Sequence, residues 1–383
     1  MVAVFMFTND LRTEDNLTFY KAHKEHKNVL PIIVIGKQPN ARMEAFLEEC
    51  VADLNVDLGG KLQTYRNINE LVQVHNKFGI TDLYYNVDPT SPPHSTLTST
   101  QISKWCKSKG IKEHCGKLDH TLLDFSQLTR PYKVFSNFYN TFVSFAMKVK
   151  PLYTNPKAAQ RRSGSKGLAI LKSINKFADY ENTRDYFAKP TTHMSVYLNF
   201  GCVSMREVCY AFRNNPVLLK ELMWREFYAQ IVYFHPKLLQ GEAFYPQRDR
   251  GWKTNSVPQF TLWKRGKTGV PLVDASMRCL NTTGYLHNRA RMIVASYLVK
   301  DLGIDWRAGE AYFKSQLLDY NFASNNGGWQ FISGTGASGM MQSRKFSPWI
   351  QAKKYDPECV FIKQYLPELK NVDNRKIFSI GLN

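Results

Sequence analysis

The sequence lacks the motifs that identify most hydrolytic, metal-dependent and nucleotide-hydrolysing enzymes. It has no GxSxG, no HExxH, no Walker loop, and no GxGxxG after the first apolar run, so these chemistries and ordinary NAD binding are not supported. Its seven cysteines form no CxxC pair and show no metal-like spacing with histidine. They therefore indicate reduced thiols in an intracellular protein, and no metal site is expected.

Long apolar runs and acidic residues are also scarce. No run reaches the ~20 residues of a membrane-spanning helix, and the N-terminus has no signal-peptide pattern, so we expect a soluble protein of the cytoplasm or nucleus. Only 32 Asp and Glu stand against 51 Lys and Arg, a formal charge of +19. This excess favours a polyanionic partner, meaning nucleic acid or an acidic membrane surface.

The positive charge is concentrated where aromatic residues are frequent. Residues 240–300 contain ten Lys and Arg and three Asp and Glu, interleaved with Trp252, Trp263, Tyr285 and Tyr297. Cations neutralise a phosphate backbone, and flat rings stack on bases. The segment favours nucleic-acid binding, with a solvated basic surface as the alternative.

The first third of the chain alternates strand and helix patterns. Strands are predicted at residues 2–7, 29–35, 62–66 and 83–86, and helices at 14–26, 41–58 and 68–78. The first two runs are almost continuously apolar, which is typical of strands buried on both faces. The alternation predicts an α/β domain with a doubly wound parallel sheet.

The texture of the sequence changes after residue 125. Prolines and the run RRSGSKG at 161–167 predict a partly ordered linker over residues 126–175. Helical spacing then dominates, with helices predicted at 218–233, 272–280, 289–302 and 309–318. We therefore predict an α/β domain over 1–125, this linker, and a larger all-α domain over 176–383.

Two helical segments each place unusual side chains on one face. In ELMWREFY (221–228), Glu221, Trp224 and Arg225 share a face. A surface ion pair beside a core tryptophan is the alternative.

In GYLHNRARM (284–292), Asn288, Arg291 and Met292 share a face in the same way. A basic helix with a buried methionine is the alternative.

Two further segments suit ligands through their backbone. The paired glycines of DYNFASNNGGWQF (319–331) allow close approach to a flat ligand, although a simple turn would also need them. The hydroxyls that open TTHMSVYLNFGCVS (191–204) suit a phosphate, and helix capping explains them equally well.

In this order and spacing, the segments resemble the photolyase/cryptochrome family, and most closely its class I cyclobutane-dimer photolyases. The resemblance covers nearly the whole chain and is carried by FTNDLRTEDN, PYKVFSNFY, ELMWREF, GKTGVPLVDASMR, TGYLHNRARM, DWRAGEAYF, NNGGWQ and KYDPECVFIKQYLPEL. It implies light-dependent repair in which excited, reduced FAD gives an electron to a pyrimidine dimer, photolyases being among the enzymes known to flip bases. The implied partner is UV-damaged DNA, double- or single-stranded, and the implied state is a monomer.

The resemblance implies a cofactor pocket for FAD in its reduced, anionic form. The pocket residues would be Tyr180, Thr191, Thr192, His193, Met194, Ser195, Arg225, Asn288, Arg291, Asp319, Asn321 and Asn325. Arg291 and Asp319 would pair beside the flavin ring and keep positive charge near the anionic cofactor. Asn325 would face flavin N5, where an amide supplies no acidic proton.

The resemblance also implies residues for the substrate and for electron transfer. The dimer would contact Glu221, Trp224, Asn288 and Met292, with Trp224 stacking and a protonated Glu221 hydrogen-bonding. DNA phosphates would lie near Arg184, Arg289 and Arg344. Electrons would pass between flavin and surface through Trp329, Trp306 and Trp252, the last of which aligns only with a one-residue insertion.

Three positions depart from the family pattern. Asn321 stands where many relatives have an acid, and Tyr285 and Phe331 stand where tryptophans are common. No set of antenna-binding residues carries over, so a second chromophore is left open.

Three other functions remain open. A cryptochrome would signal without repair, but Asn325 and the lack of a long tail after QYLPEL argue against it. A (6-4) photolyase would use paired histidines, where this chain has Asn288 and Met292. A structural DNA-binding protein with a degenerate pocket would show no flavin absorbance. A preference for single-stranded DNA, as in the DASH branch, is suggested by RKFS (344–347) and QAKKYD (351–356).

Overall fold

The structure, a computed structural model, describes most of the chain. The described residues are 2–88, 99–116, 120–152, 161–249, 251–253, 256–337 and 345–381. They fall into two compact units. The first comprises Met1–Arg130, Tyr139–Asn175 and His193–Ala229, and the second comprises Pro131–Phe138, Lys176–Thr192 and Gln230–Asn383.

The first unit contains a five-stranded parallel sheet. Its strands are β1 (Val2–Phe7), β2 (Val29–Val34), β3 (Gln63–Tyr65), β4 (Ile80–Asn86) and β5 (Lys112–Gly116). The spatial order is β3-β2-β1-β4-β5 with every neighbouring pair parallel. The predicted doubly wound sheet is confirmed, because the chain builds outward from β1 in one direction and then in the other.

Four helices connect these strands: α1 (Leu17–Glu25), α2 (Ala41–Asp57), α3 (Ile68–Phe78) and α4 (Ser99–Lys109). The sequence prediction missed α4 and β5. β5 reads KEHCG and is at most half-buried, so it lacks the continuous apolar pattern that marks β1 and β2.

A buried polar network lies at the carboxyl ends of β1 and β4, where the strand order reverses. The Asn86 Nδ2 donates to Asp10 Oδ2 at 2.7 Å and to Asn16 Oδ1 at 2.9 Å. Thr8 Oγ1 donates to the Asn86 carbonyl at 2.7 Å. Because buried polar groups are costly unless they are hydrogen-bonded, the network fixes the FTNDLRTEDN segment at the carboxyl ends of β1 and β4.

The remaining described residues are mostly helical or in turns and loops between helices, which confirms the predicted fold class. The helices are α5 (Phe135–Ala146), α6 (Ser165–Lys172), α7 (Tyr180–Thr183), α8 (Met194–Asn199), α9 (Met205–Phe212), α10 (Pro216–Phe234), α11 (Val257–Arg265), α12 (Pro271–Thr283), α13 (Asn288–Ser296), α14 (Trp306–Gln316), α15 (Phe322–Ser333), α16 (Pro348–Tyr355), α17 (Val360–Tyr365) and α18 (Asn374–Ile377). Short 3₁₀ turns occupy Phe125–Gln127, Ile174–Phe177, Pro236–Gln240, Pro246–Arg248 and Pro367–Leu369. The predicted domain boundaries at 125 and 175 remain predictions.

The long helix predicted over 289–302 is two elements. α13 ends at Ser296 and a π-helical turn follows over Tyr297–Asp301. Hydrophobic spacing could not separate them, because one turn of π-helix changes the period too little to alter the pattern. Throughout the described ranges, no helix is both long and apolar enough to cross a bilayer.

Candidate functional site

The site in the second unit is organised by the start of α13. Gly284 ends α12 in the left-handed conformation, with φ of 70°, which glycine adopts without steric cost. His287 then caps α13, its Nδ1 accepting the backbone N–H of Arg289 at 3.1 Å. Burial lowers the pKa of His287 to about 4, with Arg291 and Arg289 acting in the same direction and Asp185 opposing them. The neutral ring can therefore act as the cap acceptor.

α13 presents the residues that the sequence placed on one face. Asn288 is exposed at its first turn, and its Nδ2 lies 3.9 Å from the sulfur of Met292 one turn later. Asn288 and Met292 are neighbours because side chains four residues apart lie on the same face of a helix. The structure thus brings these two predicted substrate contacts together on the helix that also carries Arg291.

Arg291 and Asp319 form the ion pair that the sequence predicted. Arg291 Nη2 donates to Asp319 Oδ1 at 2.9 Å and to Oδ2 at 2.8 Å. The Asp319 side chain is 4% exposed. Burial opposes the charge of Arg291, but the carboxylate of Asp319 outweighs it and raises the pKa of Arg291. The pair therefore holds a fixed guanidinium charge in this region.

The Arg291 guanidinium is held in place by two further groups. Its Nε donates to the Leu286 carbonyl at 2.7 Å, and its carbon atom lies 5.4 Å from the ring centre of Tyr285. The Tyr285 hydroxyl is 3.2 Å from Thr191 Oγ1. Tyr285, which departs from the family pattern, is thus hydrogen-bonded to Thr191, one of the predicted cofactor residues.

Asn325 on α15 has a defined amide orientation. Its Nδ2 donates to Glu310 Oε1 at 3.0 Å, and the hydroxyl of Tyr320 donates to the same oxygen at 2.9 Å. Asn321 is the N-cap of α15, with its Oδ1 accepting the N–H of Ser324 at 3.1 Å. The sequence analysis named Asn325 and Asn321 but missed Glu310 and Tyr320.

Trp329 lies in an aromatic cluster. Its ring centre is 5.0 Å from Phe313 and 6.3 Å from Trp263, and Trp263 is fully buried. Gly309 makes room for it, since an added Cβ would lie 2.2 Å from the Trp329 ring. The sequence indicates Trp263 only as part of the basic, aromatic segment. The structure shows that Trp263 also contacts Trp329, the first predicted electron carrier.

The two other predicted electron carriers share one carboxylate region. Trp252 Nε1 donates to Asp249 Oδ1 at 2.9 Å, and Asp249 pairs with Arg307, whose guanidinium lies 4.6 Å from the ring centre of Trp306. Burial by itself raises the pKa of Asp249. The hydrogen bonds from Arg307 and Trp252 act in the opposite direction, and the net result is a pKa below the usual range. Trp306 is buried and Trp252 is half-buried.

Two of the predicted phosphate contacts lie in the described chain. Arg184 follows α7 and is half-buried. Arg289 is tied into an ion pair with Asp185 at 2.6 Å and lies 4.7 Å from the ring centre of Tyr355. Arg344 falls outside the described residues.

The first unit carries the α10 residues. Glu221, Trp224 and Arg225 are half-buried, whereas the α10 residues between and beside them are mostly buried, so the three share a face as predicted. Trp224 stacks against Tyr228 with ring centres 5.7 Å apart.

The same helix carries a buried acid that the sequence analysis missed. Glu226 Oε2 accepts the N–H of Leu123 at 3.2 Å, and burial raises the pKa of Glu226 to about 7.

The other predicted cofactor residues lie at short helices. Tyr180 is the first residue of α7, and Thr192 is half-buried two residues before α8. His193 is the N-cap of α8 with φ of 50°; Met194 is buried and Ser195 is half-buried. His193 and Met194 therefore offer backbone groups rather than a buried polar side chain.

The second unit's donor set fits a flat, anionic, hydrogen-bonding group. It combines the charge of Arg291, the hydroxyls of Thr191 and Tyr285, and the amide of Asn325. Among the residues that the structure covers, no group of three or more His, Cys, Asp or Glu could hold a metal ion.

Two family models match the chain. The FAD binding domain of DNA photolyase matches residues 218–381, and DNA photolyase matches residues 3–157. Deoxyribodipyrimidine photo-lyase of Escherichia coli is 44% identical over 215 residues, which are 53% of this chain and 45% of that protein. The enzyme of the same name from Vibrio cholerae is 45% identical over 213 residues, 52% of this chain and 45% of that protein. The chain thus matches somewhat less than half the length of these curated relatives.

Solved structures match over almost the full length. An archaeal photolyase from Sulfolobus tokodaii, solved with two FAD molecules, is 32% identical with a TM-score of 0.83, covering 99% of this chain and 93% of that one. A Synechocystis cryptochrome is 27% identical with a TM-score of 0.85, covering 98% of this chain and 91% of that one. The fold and the two matching family models define an FAD-binding protein of the photolyase type. The chain belongs to the photolyase/cryptochrome family and carries its FAD-binding domain.

Proposed function

We propose that this protein repairs cyclobutane pyrimidine dimers in UV-damaged DNA when illuminated. The observation that carries the proposal is the composition of α13. Within five residues, one helix supplies Asn288 and Met292 for the lesion and Arg291, paired with Asp319, for the cofactor. The relatives named deoxyribodipyrimidine photo-lyase support the same reading.

The cofactor is FAD in its reduced, anionic form. When bound, it would supply the electron that opens the cyclobutane ring under light, and it would take that electron back once the two pyrimidines separate, so that the repair has no net oxidation or reduction. The guanidinium of Arg291 stabilises negative charge on the flavin ring, since a fixed cation in a partly dry site is worth more than in water. Asn325 would present its amide to flavin N5, and Thr191 and Tyr285 would supply hydroxyl groups.

The substrate is held by residues of two helices. Trp224 stacks on the flipped-out dimer, Asn288 donates to it, and Glu221 in its protonated form donates to its carbonyl oxygens as they gain electron density. Arg184, Arg289 and Arg344 neutralise DNA phosphates, and the net charge of +19 steers the protein to DNA. The protein acts on DNA as an intracellular monomer.

The helix α13 also separates this proposal from repair of (6-4) photoproducts. That chemistry needs a histidine pair for acid–base catalysis, and the corresponding positions carry Asn288 and Met292. His287 is no substitute, because burial lowers its pKa to about 4 and its Nδ1 accepts a backbone N–H.

The test is repair of UV-irradiated oligo(dT) by FAD-loaded, photoreduced protein, followed by recovery of thymine absorbance in light and in darkness. Glu221→Ala should retain FAD and lower the yield of repair per photon by about tenfold, as expected when one hydrogen bond to a developing charge is lost. Glu48→Ala, which removes an exposed carboxylate on α2, is the matched control and should repair normally.

Each outcome decides between functions. Light-dependent recovery that Glu221→Ala weakens supports dimer repair. No recovery with FAD bound would favour a cryptochrome-type function or another lesion, and loss of FAD from Glu221→Ala would assign that residue to the fold. Parallel assays on double-stranded substrates and sedimentation with DNA settle strandedness and the monomeric state.

A further inference from the structure

We propose that Tyr320 is a positioning residue that holds the amide of Asn325 through Glu310, and thereby favours reduced over oxidised FAD. The inference rests on the proposed place of Asn325 beside flavin N5. It adds to that proposal two residues, Tyr320 and Glu310, that the sequence did not single out.

Asn325 and Tyr320 share one hydrogen-bond acceptor. Glu310 Oε1 receives the Asn325 Nδ2 donor at 3.0 Å and the Tyr320 hydroxyl at 2.9 Å. An asparagine amide has donors on its nitrogen only and acceptors on its oxygen only. With Nδ2 committed to Glu310, the carbonyl oxygen Oδ1 points away from Glu310 within the amide plane. Turning the amide over would face Oδ1 against a carboxylate oxygen, placing two acceptors in contact.

Tyr320 acts only as a hydrogen-bond donor to Glu310. Only 8% of the residue is exposed, and burial, reinforced by the negative charge and hydrogen bond of Glu310, raises the pKa of Tyr320. The hydroxyl therefore keeps its proton and acts as the donor. The ammonium of Lys314 lies 5.9 Å from the centre of the same ring. Tyr320 thus anchors Oε1 at the position where Asn325 must meet it.

The orientation matters because reduced flavin carries a hydrogen on N5 and oxidised flavin does not. A fixed amide oxygen accepts that N–H, whereas a turned amide would present donors to it. One neutral hydrogen bond contributes about 0.5–1.5 kcal/mol net, so Asn325 held in this orientation should favour the reduced cofactor by roughly 2- to 10-fold.

The experiment is a potentiometric titration of the bound FAD with dithionite, without DNA, on the FAD-loaded full chain. Tyr320→Phe removes the hydroxyl and keeps the ring. We expect its preference for reduced FAD to fall 2- to 10-fold, which lowers the two-electron midpoint potential by about 10–30 mV. Tyr312→Phe is the matched control: that half-buried hydroxyl bonds to Asn281 Oδ1 at 2.7 Å and to the Lys264 carbonyl at 3.2 Å, away from Glu310.

A second background separates positioning from general loss of structure. In protein already carrying Asn325→Ala, adding Tyr320→Phe should leave the potential unchanged, because the hydroxyl acts only through that amide. Glu310→Gln gives the same test if Tyr320→Phe does not fold, since its neutral side chain can turn a donor toward Asn325 and should also lower the potential. A wild-type potential in these variants, or an equal shift in the Asn325→Ala background, would overturn the proposal.

The result is independent of DNA repair. A potential that shifts as expected in protein that repairs no dimers would retain the role of Tyr320 and reject the proposed function. Normal repair with no shift would reject the role of Tyr320 alone.

Discussion

The cap at His287 makes the stability of the second unit depend on pH in a direction that the structure fixes. The imidazole is buried, with 8% of the residue exposed, and its pKa is lowered from 6.5 to about 4. Between these values an unfolded chain binds a proton at this histidine and the folded chain does not. Folding is therefore favoured above pH 6.5, and this contribution is lost as the pH falls toward 4.

The magnitude follows from the shift. A difference of about 2.5 pKa units at about 1.4 kcal/mol each allows a loss of up to about 3 kcal/mol. Protonation would also remove the lone pair that accepts the N–H of Arg289. The first turn of α13, with Asn288 and Arg291, would then lose its cap in the same pH range.

The perturbation is His287→Asn. Asparagine is an effective N-cap residue and does not titrate, so it keeps the cap and removes the protonation. Urea unfolding followed by circular dichroism from pH 7.5 to 4.5 should show wild type losing about 2–3 kcal/mol relative to His287→Asn. His23→Asn, which removes an exposed histidine of α1, is the control and should keep the wild-type dependence. Parallel curves for wild type and His287→Asn would refute the reasoning.

Two further variants test the electron-transfer residues and the buried acid. Trp329→Phe should block photoreduction of oxidised FAD, while pre-reduced protein still repairs. Trp263→Phe should photoreduce normally if the electron passes from Trp329 toward Trp306. Slow photoreduction of Trp263→Phe in transient absorption would instead show a route through Trp263. Glu226→Gln should be more stable than wild type at pH 8 relative to pH 4.5 by about 2–3 kcal/mol in urea unfolding. The pKa of Glu226 is raised from 4.5 to about 7 by burial, so its stabilising contribution is present below pH 4.5 and is lost as the pH rises through 7. Equal pH profiles for the two proteins would show that this carboxyl is not buried in solution.

Much of the fold could be predicted because its signals are local. β1 and β2 are continuous apolar runs, and the helical period of α3 gave its bounds without error. β5 and α4 were missed because their polar or charged residues obscure the period of two or 3.6 on which such predictions depend. The π-helical turn at Tyr297–Asp301 was missed because the hydrophobic pattern continues through it.

The site shows a different limit. Family resemblance identified Arg291, Asp319 and Asn325, which carry the charged and amide groups expected to face a ligand. It did not identify Glu310 and Tyr320, whose hydrogen bonds orient the amide of Asn325. Glu310 is fifteen residues from Asn325 and ten from Tyr320, and partners so far apart depend on how helices pack, which the local pattern does not specify. The cap at His287 is local, but histidine is not among the residues that usually mark an N-cap.

The pKa shifts of His287 and Glu226 change the stability of the protein in opposite directions as the pH rises. Over roughly pH 4.5 to 6.5 the neutral histidine makes folding more favourable as the pH rises, and the protonated acid makes it less favourable, by similar amounts of about 2–3 kcal/mol. The two contributions therefore largely cancel in the wild-type protein, and a flat stability profile would not show that either group is unperturbed. Only the single variants reveal them: compared with wild type, stability should fall more with rising pH in His287→Asn and rise more in Glu226→Gln. In the double variant the two changes should add and largely cancel, so that its profile parallels that of wild type, because the two side chains belong to different units.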